Sequence, residues 1–177
     1  MTTIIDQQYI SGNSLVDYLK SQQELTFSNE AENNFRKTIL LSSASFFEKE
    51  ISDTVIDFAK SHTANNELVI SIIKQKAVSR QYHTYFSWDS SNANTFFSLF
   101  GEEFKKSMMQ KVKDDEKLSD AIKSFLEIGR ERNRMVHQNF AEVMIEKTAE
   151  EIYKLYKSSL YFIETVKKEL IKTEEEI

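Results

Sequence analysis

The feature that most restricts the fold of this chain is the near absence of residues that interrupt helices. Its 177 residues include no proline and only three glycines. Both residues punctuate turns, and a β-rich chain of this length would need many of them. The apolar residues instead recur at three- and four-residue spacing, as one face of an α-helix requires. The sequence therefore predicts an all-α fold, a helical bundle that forms a single domain.

The composition is typical of a globular protein that buries a core. Hydrophobic residues make up 40% of the chain and charged residues 29%. No apolar run approaches the roughly 18 residues of a membrane span. The opening residues, MTTIIDQQYI, lack the basic and apolar regions of a signal peptide. We expect a cytoplasmic protein with no membrane partner.

Few side chains in this sequence are suited to metal or cofactor chemistry. The chain has no cysteine, and its three histidines, His62, His83 and His137, are far apart in sequence. Thiolate zinc sites and cysteine nucleophiles are therefore excluded, and no close ligand spacing predicts a metal site. No glycine-rich phosphate loop occurs either. We expect neither a metal nor a cofactor.

The charge balance limits how the chain can bind nucleic acid. The formal net charge is −5 and the isoelectric point is near 5.4. A protein of this charge does not attract RNA or DNA through its overall field. Any nucleic-acid binding must therefore use a local positive surface.

The apolar pattern predicts long helices joined by short connections. The longest runs from about Asn29 to Lys60, and NEAE at its start has the form of a capping box, with Asn29 as cap and Glu32 as its partner. TAEE (148–151) has the same form and is predicted to open the last helix. The other predicted helices span 14–25, 67–79, 95–112 and 114–137, and the Ser- and Asn-rich stretch 85–94 is predicted to be a loop.

One residue of the 114–137 helix conflicts with its apolar face. On a helical wheel, six apolar residues form one stripe: Leu118, Ile122, Phe125, Ile128, Met135 and Val136. Arg132 lies near the centre of that stripe. A buried guanidinium without a partner would cost several kcal/mol. We therefore expect Arg132 to be paired, to sit at an interface or to line a cleft.

The same helix carries a second polar group around its histidine. His137 lies about 140° from Arg132 on an ideal helix. The two side chains converge only if the helix ends or bends between them, or if a second copy of the chain supplies one of them. Arg130, Asn133 and Arg134 lie within about 60° of His137. This face thus gathers positive charge, an amide and a titratable imidazole.

The segment RNRMVH (132–137) resembles the R-N-x-x-x-H form of the R-x4–6-H signature of HEPN domains, the higher eukaryotes and prokaryotes nucleotide-binding domains. The context is similar too, with SASFFEKEI in a long early helix and the motif near the end of a late one. NTFFSLFG and VHQNFA resemble the RiboL-PSP and MAE_28990-like branches of this superfamily. The resemblance covers roughly Ser28 to Leu170. It implies an up-and-down four-helix core over 28–170 with additional short helices, an N-terminal extension over 1–27 and a frayed tail over 171–177.

The resemblance also implies an activity, that of a metal-independent endoribonuclease. Such domains work as homodimers in which the motifs of both protomers face one another across a cleft. They act on RNA as toxins or as anti-phage defence effectors, so an antitoxin or a protein of a defence complex is an expected partner. Carried over by position, Arg132 is the motif arginine, Asn133 its polar follower and His137 the motif histidine. Arg130 also fits the longer permitted spacing, and it remains an alternative motif arginine.

Other residues are candidates for supporting roles. The family often adds a carboxylate from the first long helix. The resemblance points to Glu48, which we prefer, whereas the wheel places Glu50 nearer the apolar face. The candidate RNA-binding residues are Arg134, Lys105 and Lys106, with Lys111, Lys113 and Arg130 as further cations. The alternative reading is a catalytically inactive helical interaction or dimerisation module, and the intact motif favours the nuclease.

Overall fold

The chain folds into α-helices connected by short turns. The computed structural model describes residues 2–138, 140 and 142–171, and this part of the chain contains no β-strand. The elements are α1 (Ile4–Ser21), α2 (Leu25–His62), α3 (Glu67–Ile73), a π-helical turn (Lys74–Val78), α4 (Tyr82–Tyr85), α5 (Asn94–Ser98), α6 (Glu102–Asp114), α7 (Glu116–His137) and α8 (Ala149–Ile171). The all-α prediction is confirmed. None of the helices described has the length and hydropathy that a membrane span requires.

Helix α1 differs from its predicted bounds at both ends. It begins at Ile4 rather than Ser14 and ends at Ser21 rather than Leu25. Thr3 caps it, because its Oγ1 accepts a hydrogen bond from the Asp6 amide at 3.1 Å while Asp6 Oδ2 accepts one from the Thr3 amide at 2.7 Å. This reciprocal pair satisfies free amides of the first turn. The predicted boundary was wrong because this cap lies well upstream of it.

The segment predicted as an N-terminal extension packs along α2 and α8. Gly12 admits the ring of Phe35, since a Cβ on Gly12 would lie 2.2 Å from Phe35 Cε2. Tyr9 stacks on Tyr153 with ring centroids 3.9 Å apart. Helix α1 is therefore packed against both α2 and α8. Of the predicted frayed tail, residues 172–177 lie outside the described residues.

Helix α2 begins earlier than predicted, at Leu25, and the capping box at Asn29 is not formed. Glu32, the predicted partner of that cap, instead accepts a hydrogen bond from Arg36 and pairs with Lys20. Asn29 lies inside the helix, where the backbone amides already bond to carbonyls of the preceding turn. The capping prediction was therefore wrong, because only the first turn of a helix has free amides to cap.

The long helices pack around one aromatic core. Helix α1 runs antiparallel to α2, α2 to α7, and α7 to α8. Phe125 of α7 lies at the centre, with its ring centroid 5.3 Å from that of Phe47 and 5.0 Å from that of Phe162. All three side chains are fully buried. The core thus fixes α7, which carries the motif, between α2 and α8.

The chain between α3 and α6 covers one side of this core. Helix α3 and the π-helical turn match the predicted helix over 67–79, and residues 86–93 are non-helical as predicted for most of 85–94. The continuous helix predicted over 95–112 is wrong, because it breaks at Gly101. The φ of Gly101 is +95°, a left-handed conformation that glycine adopts without a steric penalty. Two short helices, α5 and α6, therefore replace one long helix.

Helices α7 and α8 begin at capping side chains. Asp115 Oδ1 accepts a hydrogen bond from the Leu118 amide at 3.1 Å. Thr148 and Glu151 form the capping box predicted from TAEE, with bonds of 2.8 and 3.2 Å. The predicted apolar stripe of α7 is buried except for Val136, which is 53% exposed. The stripe prediction is wrong for Val136 because the last turn of α7 is covered on one side only, where its neighbour Met135 is buried.

Candidate active site on helix α7

Arg132 lies on the face of α7 that is directed towards α2, at the edge of the core. Its side chain is 35% exposed, and Nη2 lies 3.8 Å from Oε2 of Glu48. Nη1 donates a hydrogen bond to Oδ1 of Asn133 at 3.1 Å. Ile128 and Met135 of the same stripe are buried. Partial exposure and the pairing with Glu48 therefore allow a charge to lie on an apolar face.

Within the described part of the chain, Arg132 uses little of its hydrogen-bonding capacity. A guanidinium carries several N–H donors in a fixed fork, and among the described residues Arg132 donates one hydrogen bond. The 3.8 Å approach to Glu48 is longer than a hydrogen bond. Partly exposed ion pairs of this kind contribute about 0–1 kcal/mol. Arg132 can therefore bind an anionic group, such as a phosphate, without losing a strong internal bond.

The structure separates the two carboxylates that the sequence analysis compared. Glu48 faces α7 and lies beside Arg132. Glu50 lies on a different side of α2, where its charge acts on the hydroxyl of Tyr156 in α8. Helix α2 packs on α8 as well as on α7, so a residue near its apolar side need not face α7. Glu48, and not Glu50, is the carboxylate next to Arg132.

Two aromatic residues that the sequence analysis did not identify lie on the Arg132 side of α7. Trp88 packs on the backbone of Gly129, one turn before Arg132, and a Cβ on Gly129 would lie 2.0 Å from Trp88 Cζ3. Trp88 Nε1 donates to the carbonyl oxygen of His83 at 3.0 Å. The ring of Tyr82 is centred 5.6 Å from that of Trp88. Trp88, inside the Ser- and Asn-rich stretch 85–94, was the available sequence signal, and Tyr82 lies just before that stretch.

The Tyr82 hydroxyl interacts electrostatically with both members of the ion pair. Burial raises the pKa of Tyr82 above its usual range, the Glu48 carboxylate raises this pKa further, and Arg132 opposes the change. The hydroxyl forms no hydrogen bond to the other described residues. Tyr82 therefore supplies a neutral hydroxyl that is free to donate beside Arg132 and Glu48.

His137 is the last residue of α7, and its side chain is exposed. The helix is uninterrupted from Arg132 to His137, so neither a helix end nor a break brings the two side chains together. They point about 140° apart and are separated by about 7.5 Å along the axis. No hydrogen bond within the described residues involves His137. Within one chain, the arginine and the histidine of the motif thus face different ways.

The other two arginines of the motif segment have different environments. Arg130 is exposed and forms no ion pair with the described residues. Arg134 donates to Glu131 Oε2 from Nε at 3.1 Å and from Nη2 at 2.8 Å, and its Nη2 also donates to the carbonyl oxygen of Met144 at 3.1 Å. Arg134 is therefore engaged with the connection to α8, whereas Arg130 is free to meet a ligand.

The α6 lysines that were candidates for RNA binding are paired with carboxylates of their own helix. Lys105 Nζ lies 3.4 Å from Glu102 Oε1, and Lys106 Nζ lies 3.1 Å from Glu103 Oε1. Each pair presents little net charge to solvent. No contact among the described residues joins either lysine to Arg132. Neither lysine is therefore among the residues that contact the motif arginine.

The groups gathered around the Arg132 guanidinium are a carboxylate, an amide and a phenol, and the imidazole of His137 lies on another face of the same helix. Metal sites usually need three or more ligands from His, Cys, Asp or Glu. Over residues 2–138, 140 and 142–171, no such group of three lies close together. What these side chains can do is bind an anion, orient it and transfer a proton near neutral pH.

The chain matches a family of known proteins over most of its length. The matching family model is described as RiboL-PSP-HEPN and aligns with residues 9–172. This range begins within α1 and includes α2, α7 and α8. No curated protein and no solved structure matches the chain significantly.

Proposed function

The chain belongs to the RiboL-PSP-HEPN family, and on that premise we propose that it is an endoribonuclease that cuts RNA without a metal ion. The observation that carries this proposal is the state of Arg132. Its guanidinium sits at the surface beside Glu48, and most of its donors have no partner among the described residues. A phosphate of the RNA backbone is the ligand that this arrangement suits, because a guanidinium binds phosphate oxygens through paired hydrogen bonds.

The proposed reaction uses a nucleophile that the RNA itself provides. The ribose 2′-hydroxyl attacks the adjacent phosphorus, the bond from phosphorus to the 5′-oxygen breaks, and the products are a 2′,3′-cyclic phosphate and a 5′-hydroxyl. A base must take the 2′ proton and an acid must protonate the leaving oxygen. Histidine can do either near neutral pH, contributing about 10²–10⁴-fold. Arg132 stabilises the charge on the phosphate oxygens, and Asn133 orients the phosphate or the ribose.

We propose further that two copies of the chain form the complete site. Arg132 and His137 point about 140° apart on one helix, so a partner copy is needed to bring a histidine opposite the arginine. Val136 and Phe140, which flank His137 in sequence, are 53% and 51% exposed. Exposed apolar residues beside a polar group favour a protein contact there. Two His137 side chains, one from each protomer, then divide the roles of base and acid.

The biological role that we propose is the one typical of such nucleases. The protein acts as the toxin of a toxin–antitoxin pair or as an anti-phage defence effector. Its partner is then an antitoxin or another protein of the defence complex, which keeps the nuclease silent. The RNA that it cuts is a cellular or phage transcript or a tRNA.

The test is incubation of the purified protein with total RNA in EDTA, beside the His137→Ala variant. We expect cleavage that survives chelation, leaves 2′,3′-cyclic phosphate ends and is absent in the variant. Arg132→Ala should also be inactive, and Arg130→Ala should retain more activity. Equal loss in both arginine variants would leave no distinct motif arginine. Unfolding of His137→Ala would mean that the histidine is structural.

A second candidate function is a catalytically inactive interaction module. The observation that favours it is α3, which has no buried residue and exposes Leu68 and Ile72 at 83% and 60%. Such a face suits a protein partner. An absence of cleavage by both the parent and the His137→Ala protein, even with RNA bound, would favour this function over the nuclease.

A further inference from the structure

The stretch from Leu68 to Trp88 differs in charge from the rest of the chain. It contains no Asp or Glu, although the whole chain has 28 of them. It does contain Lys74, Lys76 and Arg80. In a protein with a net charge of −5, this stretch carries a local excess of positive charge, which nucleic-acid binding requires.

The three cations of this stretch are exposed, and none has a charged partner in the part of the chain that the structure describes. Lys74 and Lys76 lie on the π-helical turn, and Arg80 follows it; all three are exposed. None of them forms an ion pair or a hydrogen bond through its side chain with the described residues. In contrast, Lys105 and Lys106 are each paired with a carboxylate. The unpaired cations therefore retain their full charge for a ligand.

This positive surface leads to the Arg132 site through α4. The Tyr85 hydroxyl donates a hydrogen bond to the carbonyl oxygen of Ala77 and ties the π-helical turn to α4. Tyr82, at the start of α4, packs on Trp88 with ring centroids 5.6 Å apart, and Trp88 packs on Gly129, one turn before Arg132. Arg80 has a left-handed backbone, with φ at +62°, so the chain turns sharply between the π-helical turn and α4. The three cations and Tyr82 thus belong to consecutive segments that this hydrogen bond holds together.

We infer that Lys74, Lys76 and Arg80 bind the phosphates of single-stranded RNA next to the cleaved bond and lead the strand past Tyr82 to Arg132. The inference rests on the proposed nuclease function, and it assigns capture of the RNA to residues other than the α6 lysines. Unpaired Lys and Arg side chains release counterions when they meet phosphates, and a free hydroxyl and an aromatic ring suit a ribose and a base. An acidic protein segment is the competing ligand for the same charges.

The test measures binding rather than cleavage. A fluorescein-labelled single-stranded RNA of about 20 nucleotides is titrated with protein carrying His137→Ala, and anisotropy gives Kd at several salt concentrations. Lys74→Gln, Lys76→Gln and Arg80→Gln are combined in one variant. The matched control combines Lys49→Gln, Lys123→Gln and Lys154→Gln, which removes the same charge from lysines that are paired with carboxylates.

We expect the first variant to bind RNA about 10- to 100-fold more weakly near 0.1 M salt. The slope of log K against log salt should decrease in magnitude by about 2, because each of the three lost phosphate contacts contributes about 0.7 for single strands. The control should retain the affinity and the slope of the parent. Lys74→Arg with Lys76→Arg should also retain them, because the charge is conserved. Circular dichroism checks that every variant is folded.

Three results would overturn the inference. If both triple variants lose affinity equally, the RNA responds to overall charge and not to this surface. If the first variant binds like its parent, the surface does not contact RNA, whatever the nuclease assay gives. If the parent binds no RNA, the surface is not an RNA site, and an acidic protein partner becomes the better explanation. A different result would separate the two proposals. If RNA binds through these cations but the wild-type protein, with His137 intact, does not cut it, the proposed nuclease function is contradicted and the RNA-binding surface is not.

Discussion

Arg132 illustrates how a charge can lie on an apolar helix face at little cost. Its side chain is 35% exposed, so water still solvates the guanidinium, and Glu48 lies 3.8 Å away. Full burial without a partner would cost several kcal/mol. Because the internal interactions are weak, the residue contributes little to stability and can be retained for binding.

Glu48 offers the sharpest test of the site at the level of one residue. We expect Glu48→Gln to change the free energy of unfolding by less than about 0.5 kcal/mol, since the ion pair is partly exposed. The same change should lower kcat/KM for RNA at least about tenfold, because Arg132 loses the charge that orients it. Glu50→Gln is the matched control on the opposite side of α2 and should leave kcat/KM unchanged. Equal effects of the two changes would contradict a specific action of Glu48 on Arg132.

Asp6 joins α1 to α8 through charged hydrogen bonds. Its side chain accepts a hydrogen bond from Tyr153 at 2.7 Å and from Lys157 at 3.3 Å. Burial raises the pKa of Asp6, but these donors and the Thr3 amide outweigh it and lower the pKa to about 2. The hydrogen bond between Tyr153 and Asp6 also raises the pKa of Tyr153, to about 12. The ionised carboxylate is therefore the form that holds α1 in place.

Acid should weaken this attachment in a defined pH range. Since the folded pKa of about 2 lies below the ordinary value of 3.8, the stabilisation is complete above the ordinary value and is lost as the pH falls towards the folded one. We expect Asp6→Asn to lower the free energy of unfolding by about 1–2 kcal/mol at pH 6. The difference between the two proteins, measured by urea unfolding, should shrink between pH 4 and 2. A constant difference over this range would contradict the role of the charge.

At the level of elements, the contact between Trp88 and α7 connects the 82–98 segment to the motif helix. The Trp88 ring packs on Gly129 and is also surrounded by the rings of Phe86 and Phe125, with centroids 5.2 and 6.1 Å away. The ring therefore has little room to move. Because the ring of Tyr82 packs on that of Trp88, the position of the Trp88 ring also fixes the position of Tyr82 relative to Arg132.

Gly129→Ala should consequently destabilise the protein although alanine is the better helix former. An added Cβ would meet Trp88 Cζ3 at 2.0 Å, and overpacking of this kind costs about 1–3 kcal/mol. At an unobstructed helix position the same change would stabilise by about 1 kcal/mol. Urea unfolding measures the effect. In a Trp88→Ala background, Gly129→Ala should be neutral or stabilising, and an unchanged penalty there would rule out the ring as its cause.

At the level of the whole molecule, the orientation of the motif along α7 has a consequence for assembly. Arg132 and His137 diverge on one uninterrupted helix, so the proposed reaction needs a histidine from a second copy. Subunits that carry His137→Ala should then inactivate the wild-type subunits with which they pair. With a ninefold excess of the variant, random exchange leaves about a tenth of the wild-type subunits in wild-type dimers.

We expect the cleavage rate per wild-type subunit to fall to about this fraction after the mixed proteins have been incubated long enough to exchange. RNA is kept in excess so that the variant does not deplete the substrate. Mixing immediately before the assay is the control, because exchange has not yet occurred and the rate should stay at the wild-type value. An unchanged rate after full exchange would indicate that a single chain holds the whole site.

Local sequence patterns were sufficient for the helical class and for the motif helix. The absence of proline, the apolar spacing and the TAEE cap are properties of neighbouring residues, and they predicted α7 and the start of α8 closely. The errors in α1 and α2 concern caps, where a few polar residues compete with similar ones nearby. The break at Gly101 also has a local cause, a glycine with a positive φ, although the apolar spacing predicted one continuous helix across it.

Tertiary packing was needed to assign the surroundings of Arg132. A wheel identifies which residues of α2 are near its apolar side, but α2 is covered by several helices, so the wheel cannot tell that Glu48 faces α7 and Glu50 faces α8. Nor can it tell which lysines are paired. The approach of Tyr82 and Trp88 to α7 arises from contacts between residues far apart in sequence. Helical periodicity reports only the direction of a side chain from its own axis, and the neighbour in that direction depends on how the helices pack.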